Sequence, residues 1–318
     1  MKQIKMLLII LLAIFIAACS NNEVNEPETP EHTRVEGRAG EALIWQVSSE
    51  TATVYLVGTI HVGLENLYPM QQVLLDAFYR SDALAVELDT VSFERNFQDQ
   101  MRMVEMMVFD DGTTVEDHVS AETFEMLELR LADMSALERH AVSVMRVGAI
   151  AMTLMQVQLD EWGFMDVPGV DHFFLDLAHE IGKEIIEVET MEFQIGLIVG
   201  FSSALQELQL REVLETPAEE ALELMNTMFN LWLTGDAEGL RELLDESNRE
   251  FANEEPELFE EYNTAMMLNR DIAMTELVIE MLSGNQTIFF AVGAAHIVGE
   301  NGVIEQLEAQ GWTVTRVQ

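Results

Sequence analysis

The chain alternates between short, almost purely apolar runs and long stretches in which apolar residues recur every three or four positions. Short apolar runs bounded by polar residues or glycine predict buried strands, whereas the 3.6-residue spacing predicts helices. Helical patterns separate most of the runs, and the first two runs are close enough to form a hairpin. This alternation predicts an α/β fold with a central mixed, largely parallel sheet. The runs that predict strands are Ala42–Val47, Thr53–Ile60, Ala83–Leu88, Lys183–Glu189, Ile288–Val292 and Trp312–Val317.

Two long helical insertions interrupt the alternation, at about residues 92–165 and 201–283. In the first, Met101, Val104 and Met107 are spaced to form one apolar helix face. Methionine at helical spacing indicates core packing rather than metal or haem binding, because its flexible side chain fills irregular gaps. After the second insertion, a further helix is predicted from Val298 to Gln310.

The first residues of the chain have the pattern of a bacterial lipoprotein signal. Lys2 and Lys5 precede the apolar run Met6–Ile16, which is shorter than the about 20 residues of a membrane span and matches a secretory signal. The sequence Ile16-Ala-Ala-Cys-Ser20 resembles a lipobox, which implies cleavage before Cys19 and lipid attachment to its thiol. The alternative is an ordinary signal peptide or short anchor with an incidental cysteine. We therefore predict a signal peptide at 1–18, a flexible tether at 19–40 and one folded domain at 41–318, held outside the cytoplasm on a bacterial membrane in the cell envelope.

Charge and cysteine content restrict the chemistry that the domain can perform. The chain has 57 acidic against 16 basic residues, a formal net charge of -41. Such a surface repels phosphate backbones, so no nucleic-acid partner is expected. Cys19 is the only cysteine, which leaves the mature domain without a disulfide and without a thiolate ligand or nucleophile.

Four ionisable residues stand at or just past the ends of predicted strands: His61, Glu87, Glu189 and His296. Ligands of open α/β sheets bind outside the carboxyl ends of the strands, so separate segments are expected to deliver these side chains to one edge. Two imidazoles and a carboxylate suit a divalent transition metal such as Zn, Mn, Co or Fe, and such an ion activates water. Each histidine has an ordinary alternative as a hydrogen-bonded structural residue, and Glu189 has one as the polar side of a strand.

The local settings of the two histidines match. Val57–His61 and Val292–His296 both read Val-Gly-x-x-His, followed by an apolar residue. The duplication favours one site built from both ends of the chain.

Several stretches together resemble the TraB/GumN family, whose broader group includes the Tiki metalloproteases. They are Tyr55–Gly63, Tyr68-Pro69, Ala85–Asp89, Gly169–Phe173, Gly182-Lys183 with Glu187–Thr190, Arg270 with Met274, and Val292–Gly299. The resemblance runs from about Leu43 to Val317. It implies a metal-dependent hydrolase, a peptidase in the Tiki proteins, with metal ligands among His61, His296 and Glu87.

Further family motif positions are matched by Asp171, Glu189 and Arg270. The resemblance implies contacts of these residues with the substrate, or with the side chains that hold the metal. Arg270 is expected to steady a developing oxyanion or a substrate carboxylate. The family usually follows this arginine with Asn, whereas this chain has Asp271, which changes the local charge or marks a tolerant position.

Three hypotheses follow. The first is a surface-anchored, metal-dependent hydrolase acting on a peptide or protein substrate, in which Glu87 is either a metal ligand or the general base. The second is a metal-independent, esterase-like hydrolase in which His and Glu act as general acid and base. The third is a non-catalytic envelope protein whose histidines bind a small ligand or haem.

Overall fold

The computed structural model of the protein describes residues 34–318. The predicted signal peptide, the lipidation site Cys19 and most of the predicted tether lie outside the described residues and stay predictions. The last residues assigned to the tether contact the domain: Arg38 forms an isolated parallel bridge with Gln71, and Arg34 forms a 2.7 Å ion pair with Asp76. The packed part of the chain thus begins some residues ahead of the predicted domain boundary at 41.

A six-stranded mixed sheet forms the centre of the molecule, with the strand order β6-β4-β7-β2-β1-β8. The four strands β6, β4, β7 and β2 run parallel, and β1 and β8 add antiparallel at one edge. A separate two-stranded ribbon pairs β3 with β5. The predicted α/β fold with a mixed, largely parallel sheet is confirmed. The strands are β1 Ile44–Ser48, β2 Thr53–Thr59, β3 Val62–Gly63, β4 Ala83–Val86, β5 Val167–Pro168, β6 Glu184–Glu187, β7 Thr287–Gly293 and β8 Thr315–Arg316.

Helices cover both faces of the sheet and build the two insertions. Short 3₁₀ turns occur at Glu65–Leu67 and Val115–Asp117, and a π-helical segment spans Asn263–Leu268. The α-helices are α1 Gln72–Arg80, α2 Thr90–Arg95, α3 Phe97–Met107, α4 Ala121–Arg130, α5 Ala136–Ser143, α6 Val147–Glu161, α7 Val170–Ile181, α8 Met191–Gly200, α9 Ser203–Glu215, α10 Ala218–Leu233, α11 Ala237–Glu254, α12 Pro256–Tyr262, α13 Asn269–Leu282, α14 Ala294–Val298 and α15 Val303–Ala309.

Three local predictions were wrong. The segment after β7 forms two short helices, α14 and α15, instead of one helix beginning at Val298. The chain breaks between them because Asn301 has a positive φ of 58°, which ends helical geometry. The closing strand is only Thr315–Arg316. In α3, Met101 and Val104 of the predicted apolar face are exposed, whereas Met107 of the same face is buried together with Met103.

The strands β2 and β7 are neighbours at the middle of the sheet, and this pairing positions the twin histidine motifs. They run parallel in a continuous register from Thr53 opposite Thr287 to Thr59 opposite Gly293. All residues from Val54 to Thr59 are buried, so the apolar pattern of a strand covered on both faces is explained. Since parallel strands end at the same edge, the two motifs emerge side by side.

The helical insertions have a core of their own. Residues from α3, α6, α8, α11 and α12 bury a second cluster that includes Met107, Met152, Ile195, Phe251 and Tyr262. Methionine therefore does pack in the core, as its spacing predicted. No helix within residues 34–318 is long and apolar enough to cross a membrane.

Candidate functional site

His61 lies two residues past the end of β2 and is held from behind by a carboxylate. Its Nδ1 atom is 2.7 Å from Asp171 Oδ2, and the two side chains are 18% and 17% exposed. Asp171 stands in the first turn of α7, whose start is fastened to the site because Val170 N donates to Ile60 O over 2.8 Å. A Cβ atom at Gly169 would lie 2.2 Å from the carbonyl carbon of His61. Only glycine therefore permits α7 to begin this close to the histidine.

His296 repeats this arrangement in a drier setting. It lies in α14 directly after β7, and its Nδ1 atom is 2.6 Å from Asp271 Oδ1. The two side chains are only 6% and 1% exposed. Asp271 comes from the first turn of α13. Each of the two histidines thus has its own aspartate partner. The two aspartates come from different helices, α7 and α13.

Glu87 follows β4 and joins a buried ionic cluster. Its Oε2 atom accepts a 2.7 Å hydrogen bond from Arg270 Nη2, and its Oε1 atom accepts one of 2.7 Å from Gly293 N. Arg270 also donates to both carboxylate oxygens of Glu189, at 2.7 and 2.9 Å. Gln194 Nε2 bridges the two carboxylates, at 3.2 Å from Glu87 and 2.6 Å from Glu189. The cluster therefore places one guanidinium and one amide between two buried carboxylates.

The side chains of His61, His296 and Glu87 converge on one point beside Gly293. A Cβ atom at Gly293 would lie 3.3 Å from Glu87 Oε1, 3.6 Å from His61 Nε2 and 3.7 Å from His296 Cδ2. Because each Nδ1 faces its aspartate, the Nε2 side of each ring is left for other contacts. Segments far apart in the chain thus meet in one pocket at the carboxyl edge of the sheet, as the pattern of strand-end residues predicted.

The surroundings shift the proton affinities of these groups in opposite directions. Burial by itself would raise the pKa of Glu87, but the Arg270 guanidinium, the two histidines and the Gly293 N–H together lower it to about 2. Burial by itself would lower the pKa of His61, but Asp171, aided by Glu87, raises it above the ordinary 6.5. Burial raises the pKa of Asp271 above its ordinary value against the opposing effect of His296. Glu87 is therefore held as a carboxylate, and His61 readily accepts a proton.

A cavity of about 960 Å³, partly open to solvent, lies against these groups. One wall consists of the ionisable residues at the sheet edge. The remaining walls are mostly apolar and come from α8, α10, α11 and the π-helical segment, so the second insertion covers the site. The apolar lining consists chiefly of Leu197, Ile198, Met225, Met228, Trp232, Leu240, Leu244, Met266 and Met267.

The donor set fits a divalent metal held by two imidazoles. A histidine that binds a metal through one ring nitrogen almost always engages a carboxylate or carbonyl with the other, and both histidines do this here. Both oxygens of Glu87 already accept hydrogen bonds. If Glu87 were the third ligand, Oε1 would have to bind the ion while it also accepts from Gly293 N. Within residues 34–318, no three His, Cys, Asp or Glu side chains are preformed as a complete ligand set. The rings of His61 and His296 are thus two candidate ligands, whereas catalytic zinc sites usually take three ligands from the protein.

Sequence reasoning placed His61, His296, Glu87, Glu189, Arg270 and Asp171 near one another, and the structure brings all six together. It missed Gln194. Gln194 is followed by the apolar run Ile195–Gly200 of α8, and a polar side chain beside such a run is a signal similar to Glu87, since a buried polar group needs partners. It also left Asp271 without a role. The remaining histidines of α7 lie outside the pocket: His179 contacts Asp89 at 2.9 Å, and His172 lies 3.3 Å from Thr90 Oγ1.

The fold and this site define a class of α/β proteins with paired Gly-x-x-His motifs. The profile of the TraB/PrgY/gumN family matches residues 43–316, so the chain belongs to that family. Over 254 residues the chain is 24% identical to the uncharacterized protein YbaP of Escherichia coli (strain K12), covering 80% of this chain and 87% of YbaP. The YbaP of Shigella flexneri matches to the same extent. An uncharacterized protein of Treponema pallidum (strain Nichols) is 32% identical over 124 residues, 38% of this chain and 37% of that protein. No solved structure matches the chain.

Proposed function

We propose that the protein is a metal-dependent hydrolase that cleaves peptide bonds. The observation that carries this proposal is the convergence of His61 Nε2, the His296 ring and Glu87 Oε1 on one point, with each Nδ1 backed by an aspartate. The two histidines would hold a divalent transition metal, with Zn, Mn, Co and Fe all compatible with this donor set. When bound, such an ion supplies Lewis acidity, which activates water at neutral pH.

The surrounding residues have defined tasks in this proposal. Asp171 and Asp271 orient the imidazoles and increase their basicity through the Nδ1 contacts. Glu87, with its pKa lowered to about 2, is a weak proton acceptor at neutral pH, which supports a ligand role over that of general base. Arg270 is neutralised by Glu87 and Glu189 and also donates from Nη1 to Met266 O, so its main task is to fix both carboxylates.

A second candidate is a metal-independent hydrolase with His61 or His296 as general base. It is favoured by the ion pair between Glu87 and Arg270, which competes with metal ligation, and by the histidine–aspartate pairs, which resemble the base and orienting acid of hydrolytic triads. The described residues of the pocket lining include no serine or cysteine nucleophile, so water would be the attacking group.

The test is to purify the full chain without chelators and measure its bound metal by elemental analysis. The hydrolysis of a broad panel of fluorogenic peptides is then followed in the wild type, His61→Ala and His296→Ala, with the exposed His140→Ala as the matched control. We expect one ion per chain in the wild type and the control, and loss of both metal and activity in the two site variants. Activity that survives complete chelation would favour the second candidate. A protein that hydrolyses nothing but retains haem or another ligand would replace both with a binding function.

We also propose that the domain acts in the cell envelope, anchored through lipid on Cys19. The charged start, the short apolar run and the lipobox-like Ile16–Ser20 support this. Labelling of the wild type with a radioactive fatty acid, and its loss in Cys19→Ser, is the expected result.

A further inference from the structure

The cavity beside the histidines has a second, chemically different wall that the proposed reaction does not use. It is formed by the second insertion and is built from methionine, leucine and tryptophan side chains of α10 and α11. The cavity of about 960 Å³, part of which is open solvent, connects this wall with the histidines.

The indole N–H of Trp232 in this wall already has a hydrogen-bond partner within the protein. Trp232 is 1% exposed, and its Nε1 atom donates to Gly58 O over 2.8 Å. Its ring therefore presents carbon to the cavity. Around it, the methionine side chains adapt their shape to different apolar groups. The free energy falls when an apolar group displaces water from an apolar surface, so this wall favours an apolar ligand.

A π-helical segment connects the apolar wall with the ionic cluster. It spans Asn263–Leu268 and supplies Met266 and Met267 to the cavity lining. Met266 O accepts a 3.2 Å hydrogen bond from Arg270 Nη1. Such irregular turns occur frequently at functional sites, and here the turn places methionine next to the guanidinium that holds Glu87.

Two buried polar atoms of the lining lack a hydrogen-bond partner among the described residues: Thr59 Oγ1 and Gln194 Oε1. Both residues are 2% exposed. The orientation of the Gln194 amide is fixed, because only its NH₂ group can donate to the carboxylates of Glu87 and Glu189. Its Oε1 atom is thus left as an acceptor without a donor, which is costly in a buried place and suits a substrate N–H.

The charges around the cavity disfavour an anionic ligand. Arg270 is the cation of the lining, and it is paired with Glu87 and Glu189. Asp171 and Asp271 add further acidic groups behind the histidines. In the metal-free site of the His61→Ala chain, a substrate carboxylate would therefore meet negative potential without an unpaired cation.

From these features we infer that the site selects an uncharged peptide segment with a large apolar side chain. The side chain occupies the methionine-lined wall, and a backbone N–H of the segment donates to Gln194 Oε1. This inference deepens the proposed hydrolase function and rests on it for the cleavage step, whereas the binding preference stands by itself.

The experiment compares three capped pentapeptides, acetyl-Ala-Ala-Xaa-Ala-Ala-amide with Xaa as Phe, Ala or Glu. Binding is measured by calorimetry on the full chain carrying His61→Ala, so that turnover does not interfere. We expect the Phe peptide to bind at least about tenfold more tightly than the Glu peptide, since each factor of ten needs only a modest part of the transfer energy of an aromatic side chain.

Four further substitutions, each made in the His61→Ala chain, test where the peptide binds. Met228→Glu and the half-buried Met267→Glu should each weaken binding of the Phe peptide at least about tenfold, whereas the exposed Met101→Glu should leave it unchanged. Gln194→Met should weaken all three peptides by a similar factor and preserve their ranking. Circular dichroism confirms folding, and Met267→Glu keeps the test valid if Met228→Glu unfolds the protein.

Equal affinity for the Phe and Glu peptides would overturn the inference. So would Phe-peptide binding that folded Met228→Glu and Met267→Glu both retain. A failure of the proposed hydrolase function would give a different result. The protein would still bind the Phe peptide more tightly than the Glu peptide, but the wild type would cleave no peptide. Cleavage by the wild type without any preference would instead sink the inference and keep the hydrolase.

Discussion

The two histidine–aspartate pairs share their chemistry and differ in their surroundings. His61 and Asp171 lie at the mouth of the pocket, where both side chains are partly exposed, and their contact is 2.7 Å long. His296 and Asp271 make a 2.6 Å contact in the interior, where both are almost fully buried. One half of the site is therefore partly exposed and the other is almost fully buried, although both imidazoles line the same cavity.

Because of this difference, the two pairs should respond differently to the loss of one partner. A buried pair must remain complete, because loss of one partner leaves a polar group without compensation. An exposed pair tolerates that loss through hydration, and its proton affinity responds to the charges around it. Activity and stability should therefore respond differently to the two pairs. Both pairs are needed for activity, but only the buried pair, His296 and Asp271, should contribute strongly to stability.

The largest effect should come from removing either imidazole. His61→Ala and His296→Ala should each lower hydrolysis by about 10²–10⁴-fold, the range of catalytic acid–base or ligand groups. Only His296→Ala should also destabilise the fold, by about 1–3 kcal/mol, because it orphans buried Asp271. Steady-state kinetics and urea unfolding measure the two quantities. Equal stability losses in both variants would break the comparison.

The ion cluster that both halves share should be the next most sensitive element. Arg270→Met removes the partner of two buried carboxylates, so the free energy of unfolding should fall by about 3–5 kcal/mol. Arg211→Met is the control: it disrupts exposed ion pairs with Glu122 and Glu215 and should cost at most about 1 kcal/mol. Urea unfolding at pH 7 compares them. A similar loss in both variants would show that the cluster does not stabilise the site.

Replacing each aspartate by asparagine should distinguish the halves through charge alone. Both amides retain an oxygen that accepts from Nδ1–H, and such changes behind a ligand cost about 10–100-fold in metal affinity or activity. We expect metal affinity and activity to fall near a hundredfold in Asp171→Asn and near tenfold in Asp271→Asn, because burial disfavours the charged form of Asp271 and raises its pKa. Metal titration and kinetics measure both. The reverse ranking would contradict this account of Asp271, the position at which the family usually carries Asn.

The smallest effect concerns the titration of the outer histidine. In metal-free protein, the Asp171 carboxylate outweighs burial and raises the pKa of His61 above 6.5. The charged form therefore stabilises the fold fully below pH 6.5, and this contribution is lost as the pH rises through the raised pKa. Asp171→Asn should move the imidazole titration to lower pH. Imidazole NMR of the metal-free wild type and variant follows this shift, and an unchanged midpoint would argue against the ion pair.

Much of this arrangement could be predicted from sequence, for identifiable reasons. Strand ends are marked where Gly58 and Gly293 interrupt apolar runs, so the placement of His61 and His296 follows from the rule for parallel sheets. Glu87 is conspicuous because a carboxylate within an apolar run needs a buried partner. These residues carry their own local signal, and the structure brings their side chains together.

The partners of those residues were harder to predict, because tertiary packing selects them. His61 and Asp171 are 110 positions apart, and no local pattern relates them; only the family resemblance pointed to Asp171. Asp271 drew attention as a departure from the family, yet its contact with His296 depends on how α13 packs beside α14. In α3, the spacing predicted Met101, Val104 and Met107 on one apolar face, but packing buried only Met107 of these, together with Met103.

The most direct test of the central claim is a crystal structure of the full chain loaded with Co²⁺, with the ion located by its anomalous scattering. The account predicts one ion within about 2.0–2.2 Å of His61 Nε2 and of His296 Nε2, with both Nδ1 atoms still on their aspartates. An ion bound elsewhere in a protein that hydrolyses peptides, or an ion that contacts only one of the two imidazoles, would contradict it.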